Sequence, residues 1–277
     1  MKVYVSVDME GVGGVSHHKP TARDDREYPA AVELMIGETN AAVEGALAGG
    51  ASDVVVNDSH GGMFNLTPEK VHQAARLVQG QKPYSMVEAA RDAGFGVALF
   101  VGYHARAGHP RGTIAHTYSG KPTLTTLNGV PVGEYGINGL YLGALGVPVG
   151  MVSGDDALAE EVAAWLPGAE QVVVKRAVSG FAADSVHPAH ARDLVREGAR
   201  RAVERAVAGD PTLVPLTLAM PIRIGIDFAW AAMADHVAVA PGFRREGDRG
   251  VAYEASDAIE AFRAFLVAVR LAGLVEV

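Results

Sequence analysis

The chain has no cysteine. Disulfides and thiolate zinc sites are both excluded, so any metal must be held by oxygen and imidazole ligands. It also lacks a run of about 18 uncharged apolar residues, so no transmembrane helix and no membrane partner are expected. Cationic side chains are the minority: 24 Lys and Arg stand against 32 Asp and Glu, a net charge of −8. That balance argues against a nucleic-acid partner. No basic-then-apolar leader precedes the first strand-like run, and the cytoplasm is the expected location. The 277 residues suffice for one large domain or two modest ones. No internal repeat or low-complexity segment divides them.

Strand-like and helix-like runs alternate. Lys2 to Val7, Asp53 to Asn57, Gly96 to Gly102, Val147 to Val152 and Gln171 to Lys175 read as strands. Tyr28 to Gly49, Glu134 to Leu145 and Pro188 to Ala208 have helical spacing, and the aspartates of Gly154-Asp155-Asp156 could start a further helix through Trp165. Ser85 to Arg91 is a short helix candidate. Thr123 to Leu127 and Val130 to Val132 flank Asn128-Gly129, the strongest short hairpin signal. This order implies an α/β fold with a mostly parallel sheet flanked by helices. From about Pro211 the pattern changes. Pro221 to Phe228, Val237 to Ala240 and Val251 to Ala255 read as strands, and Asp257 to Leu274 as an amphipathic helix. Arg263 and Arg270 on that helix argue against membrane burial. We expect a catalytic, metal-binding α/β domain over 1–210 and a smaller C-terminal α/β subdomain over 211–277.

The chemistry collects at strand ends. Asp8 and Glu10 follow the apolar run Val3-Tyr4-Val5, two residues apart. Like charges held so close repel unless a cation lies between them. His60 ends the segment Val56-Asn57-Asp58-Ser59-His60, and His104 follows Leu99 to Gly102-Tyr103. In parallel sheets, ligands sit beyond the carboxyl ends of the strands. An Asp at a strand end also caps turns, and the Gly11 to Gly14 stretch could cradle a phosphate. Yet that stretch lacks the Lys-Ser/Thr of a P-loop and the spacing of a dinucleotide fingerprint. Asp58 is placed to orient the His60 ring. His116, in Ala115-His116-Thr117, is a further ligand, a general base or a nucleophile. Glu134 starts a helix, where an acid complements the dipole; as a ligand it would complete a carboxylate-rich site. Asp155 and Asp156 form another acidic strand end, read as helix capping, with support of the site as the alternative. His17, His18, His72, His109, His187, His190 and His236 read as surface or local polar residues. This donor set exceeds the four ligands of one zinc. It suggests two metals bridged by a carboxylate, with Asp8 best placed, and metal-assisted hydrolysis. Oxygen and nitrogen donors favour zinc, with manganese or cobalt as alternatives.

Several segments together resemble the D-aminopeptidase family of dipeptide-operon proteins, peptidase family M55. They are Ser6-Val7-Asp8-Met9-Glu10-Gly11, Val56-Asn57-Asp58-Ser59-His60, Lys82 to Glu88, Gly102-Tyr103-His104-Ala105-Arg106-Ala107, Ala115-His116-Thr117, Pro131 to Gly136 and Gly154-Asp155-Asp156. They run in family order and cover the first 160 or so residues densely. The resemblance implies a zinc aminopeptidase with two ions per subunit, removing N-terminal D-residues, D-alanine especially, from short peptides. It places the ligands on Asp8, Glu10, His60, His104 and Glu134, and the catalytic histidine on His116. It further implies a ring-shaped homodecamer enclosing its active sites.

Two rivals remain at this level. The same donors suit a two-metal phosphoesterase, although only Arg106 and Arg111 stand near the motifs to bind phosphate. A non-catalytic peptide-binding protein of a transport operon is the other.

Overall fold

The computed structural model describes residues 1–92 and 94–276. Val3, Tyr4, Val5 and Val7 are all fully buried, as a strand covered on both faces requires. They form β1 (Lys2–Val7). The chain continues through α1 (Tyr28–Ala48), β2 (Asp53–Asp58), β3 (Ala75–Val78), β4 (Phe95–Val101), β5 (Pro122–Leu127) and β6 (Val130–Pro131). Then follow α2 (Glu134–Ala144), β7 (Val149–Asp155), α3 (Asp156–Trp165), β8 (Glu170–Ser179), β9 (Ala182–Ser185) and α4 (Pro188–Val207). Last come β10 (Ile222–Phe228), α5 (Ala231–Ala238), β11 (Arg244–Glu246), β12 (Gly250–Ala255) and α6 (Ala258–Gly273).

Seven strands form the first sheet, in the order β3-β2-β1-β4-β7-β8-β9. Every pairing is parallel except β8 with β9. Along β1 the side chains alternate between two cores. Val3, Val5 and Val7 join α1 and α4 on one face, and Tyr4 joins α2, α3 and α6 on the other. The strand order turns outward from β1 through β2 to β3, then resumes on the opposite side at β4. The crevice at such a reversal is where α/β sheets bind ligands, and here the loops after β1 and β4 meet. The Asp8 N–H donates to Val101 O and the Gly11 N–H to Gly102 O, each at 2.8 Å. Only glycine fits at Gly11, because a Cβ there would lie 1.8 Å from Tyr103 O.

The second sheet is antiparallel, in the order β11-β12-β10-β5-β6. It is not built from the C-terminal segment alone, since Ile224 of β10 pairs with Leu127 of the 122–131 hairpin. Two local expectations are corrected. Val237 to Ala240 does not form a strand; α5 covers 231–238, with Met233, Ala234 and Val237 buried against the core. A four-residue apolar run has no period that separates strand from helix. The 85–91 stretch forms 3₁₀ turns at 85–87 and 90–92 rather than one helix. Among the described residues no helix is long and apolar enough to cross a membrane.

Candidate metal centre

The loops after β1, β2 and β4, the segment 113–118 and the first turn of α2 bring Asp8, Glu10, His60, His104, His116 and Glu134 together. Asp8 lies at the centre, with its two oxygens divided. Oδ1 is 3.2 Å from His60 Nδ1 and Oδ2 is 3.4 Å from His104 Nε2. Glu10 Oε2 lies 2.9 Å from the same His60 nitrogen, and Glu134 Oε1 lies 3.4 Å from the same His104 nitrogen. The groups thus form two half-sites, one of His60 and Glu10 and one of His104 and Glu134, with one Asp8 oxygen in each. Asp8, Glu10, His60, His104 and Glu134 are all buried.

Each histidine has its tautomer fixed from behind. His60 Nε2 lies 2.9 Å from Thr21 O, His104 Nδ1 lies 3.0 Å from Ala105 O, and His116 Nδ1 lies 2.8 Å from Ile114 O. A carbonyl only accepts, so each of those ring nitrogens carries the hydrogen. The other nitrogen of each ring faces the carboxylates. His104 Nε2 is buried and has no hydrogen-bond partner among the described residues. A lone pair aimed at two carboxylates, with nothing between, is repulsive. A divalent cation removes that repulsion, and a far N–H on a backbone carbonyl is the usual second anchor of a metal-bound imidazole. Two donors about 2.1 Å from a tetrahedral zinc lie roughly 3.4 Å apart. The observed separations of 2.9 to 3.4 Å fit that geometry.

The electrostatics point the same way. Burial disfavours the imidazolium of His60, but Glu10 and Asp8 outweigh it and raise the pKa. His104 is raised likewise, with Glu134 and Asp8 outweighing burial. Burial would lift the Asp8 carboxyl, yet the imidazoles of His104 and His60 hold it below the usual range. Burial is also outweighed at Glu134, chiefly by His104. Without metal, the pocket draws protons onto its histidines to balance its acids.

Supporting residues fix this arrangement. Among the described residues Asp58 makes no hydrogen bond to the His60 ring. It accepts from the amides of Asn65 and Leu66 and from Asn65 Nδ2, and Asn65 Nδ2 also donates to His60 O. Asp58 therefore orders the loop that carries His60. Asp155 caps α3 by accepting from the Leu158 amide. Its other oxygen accepts from the Thr113 amide at 2.8 Å, tying down the segment before His116. The Tyr118 amide donates to Glu134 Oε1. Lys175 was not singled out from sequence, although a cation ending the apolar run Val172 to Val174 was its signal. It is buried, and its Nζ donates to the carbonyl oxygens of Glu10, Val12 and Val15. It thereby clamps the loop bearing Glu10.

Two cavities open at the site. The smaller, of about 160 Å³, is lined by Asp8, Glu10, His60 and Glu134 together with Met63, Met86 and Tyr118. The larger, of about 480 Å³, shares Glu10 and His116 with it and adds His18, His109, Ile114 and Phe181. His18 and His109, expected as mere surface or local polar residues, thus border the site. Among the described residues, six non-glycines have positive φ, and four of them (Met63, Ser85, Ile114 and Tyr118) line these two cavities. Backbone strain of this kind concentrates where surrounding structure must hold a functional geometry.

The sequence profile of the D-aminopeptidase family, peptidase family M55, matches residues 1–267. The D-aminopeptidase of Bacillus subtilis (strain 168) is 37% identical over 274 residues, covering 98% of each chain. Among solved structures, the Zn-dependent D-aminopeptidase DppA from Bacillus subtilis, described as a self-compartmentalizing protease, superposes with a TM-score of 0.92 at 35% identity. That superposition covers 100% of both chains.

Proposed function

The chain belongs to the D-aminopeptidase family, peptidase family M55, and from that premise we propose that it is a zinc-dependent aminopeptidase removing N-terminal D-amino acids, D-alanine foremost, from short peptides. The observation that carries the reading is the buried His104 Nε2, which has no hydrogen-bond partner among the described residues and is aimed between Asp8 and Glu134. We assign Asp8, Glu10, His60, His104 and Glu134 as ligands of two zinc ions, with Asp8 shared. When bound, zinc would supply Lewis acidity toward the scissile carbonyl and toward water.

The chain's own groups do the rest. His116 keeps its hydrogen on Nδ1, donated to Ile114 O, so the Nε2 lone pair is free toward the shared wall of the two cavities. Acting as base, that nitrogen takes a proton from water as the water oxygen bonds to the carbonyl carbon. The C–N bond then breaks, and the proton passes from His116 to the departing amine. In a direct-attack route the same lone pair bonds to the carbonyl carbon, the C–N bond breaks as the departing amine takes a proton from water, and the hydroxide left behind bonds to the acyl carbon and breaks its bond to Nε2. Glu134, 3.9 Å from Nε2, favours the positive charge that develops on the ring in either route. All these groups fall within 1–210, with 211–277 supplying most of the second sheet and its helices. We further place the chain in the cytoplasm, within a homo-oligomer, a decameric ring.

The test is hydrolysis of D-Ala-D-Ala beside L-Ala-L-Ala by zinc-reconstituted protein, with a chelator-treated control. The expected result is chelator-sensitive cleavage of the D-peptide alone. Cleavage of the L-peptide instead removes the stereochemical assignment. Inactivity on both, with turnover of an aryl phosphate, moves the reading to a two-metal phosphoesterase.

A further inference from the structure

Glu10 and His116 stand where the two cavities meet, and the cavities differ in kind. The smaller is walled by three carboxylates, those of Asp8, Glu10 and Glu134. The larger shares only the Glu10 carboxylate and is otherwise bordered by imidazoles, small residues and an aromatic ring. We propose that the larger cavity binds the part of the peptide beyond the scissile bond, with its terminal carboxylate held by His109 and its apolar surface by Phe181. The N-terminal residue then occupies the smaller cavity. This assignment rests on the aminopeptidase reading above.

Hydrogen-bond supply sets the direction. His109 Nδ1 accepts from the amides of Arg111 at 3.2 Å and Gly112 at 2.9 Å. The ring hydrogen is therefore on Nε2, which has no hydrogen-bond partner among the described residues. It is a fixed, unused donor on the wall of a cavity, which is what recognition of a carboxylate requires.

The apolar contribution comes from an unusual surface cluster. Phe181 is 60% exposed, yet it packs against two further rings: His17 lies 5.1 Å from it and His18 5.6 Å, between centroids. The cluster is a preformed platform at the cavity wall, held before any ligand arrives. The neighbouring 114–116 segment is tied to it, because the Ile114 amide donates to Gly180 O at 2.8 Å. Size completes the argument. About 160 Å³ beside the ligand groups limits the N-terminal side chain to a small one, while about 480 Å³ beyond His116 accepts more than one residue.

The experiment compares tri-D-alanine with D-alaninamide, which has no carboxylate and no residue beyond the scissile bond. The variants are Phe181→Ala and His109→Asn; the Asn side-chain oxygen still accepts from the 111 and 112 amides but lacks the Nε2 hydrogen. The kcat/KM ratio of tripeptide to amide should fall about tenfold in each variant, through KM. Calorimetric titration of tri-D-alanine into His116→Ala protein supplies a readout apart from turnover, and adding Phe181→Ala should weaken that binding by a similar factor. A ratio unmoved in both variants, equal loss on both substrates, or unchanged binding overturns the assignment while leaving the aminopeptidase intact. A wild-type protein inert toward both substrates overturns the aminopeptidase reading first, and this one with it.

Discussion

His104 and His116 stack face to face, with ring centroids 4.0 Å apart and planes 12° apart. Both Nε2 atoms turn toward Glu134 Oε1, at 3.4 and 3.9 Å. Their surroundings differ. The His104 side chain is 1% exposed and that of His116 23%. One ring is sealed among the acids; the other opens onto the larger cavity.

This difference predicts that the two histidines separate in a zinc assay. His116→Ala should retain its zinc and lose a factor of roughly 10²–10⁴ in kcat, the usual worth of one positioned base. His104→Ala should lose metal and activity together. Zinc per subunit, measured by elemental analysis beside turnover of D-Ala-D-Ala, decides between them. Parallel loss of zinc from His116→Ala would make His116 a ligand instead. Rescue of the zinc-loaded variant by an added nucleophile would favour direct attack.

Metal uptake should release protons and weaken as pH falls. Glu10 and Asp8 raise the pKa of His60, and Glu134 and Asp8 that of His104, each against opposing burial. The metal-free rings therefore hold protons above the ordinary imidazole range, and each must lose one to offer its lone pair. Bound metal and proton compete, so zinc affinity rises with pH until the raised pKa values are passed. Calorimetric zinc titrations at about pH 7, in two buffers of different ionisation enthalpy, count the protons released. A count near zero would contradict the coupling. Because the ions bind the folded chain, chelation should also lower the melting temperature. At about 100 Kd of free zinc, each site contributes about 2.7 kcal/mol.

Much of this site was legible in the sequence because a parallel sheet turns strand order into spatial order. Asp8, His60 and His104 each follow a short apolar run, and β1 pairs with both β2 and β4, so their ends had to converge. Other features depend on contacts that no local pattern encodes. Asp58 stands two residues from His60 yet bonds Asn65 rather than the ring; the loop's return path decides that. The Asn128-Gly129 hairpin was visible, but its pairing with β10 joins residues about a hundred positions apart. His18 and His109 have ordinary neighbours in sequence and become cavity walls only beside Gly180 and Phe181 of the β8–β9 turn, which line the same cavity. Lys175 stands at a strand end like the proposed metal ligands, and its buried charge serves backbone carbonyls instead.

Stability should fall as pH rises from about 4.5 to about 7, and Glu38 should account for a measurable share of the loss. Glu38 lies on α1 and is buried; one oxygen accepts from the Gly13 amide at 2.8 Å, and the other has no hydrogen-bond partner among the described residues. Burial, opposed by the Gly13 hydrogen bond and by Lys175, raises its pKa from 4.5 to about 7. Below the lower value both folded and unfolded chains hold the proton; between the two, only the folded chain does; above both, neither. The unfolded state therefore binds fewer protons in that window, so stability declines with rising pH. Two and a half units correspond to a loss on the order of 3 kcal/mol. Glu161, also raised to about 7 by burial, acts in the same sense, so the wild-type slope exceeds that of one group. Glu38→Gln keeps an acceptor for the Gly13 amide and removes the ionisation. Denaturant unfolding of metal-free wild type and Glu38→Gln, at about pH 5 and about pH 8, should show the variant losing less stability between the two. Equal losses would mean that the Glu38 carboxyl ionises in the fold as readily as in the unfolded chain.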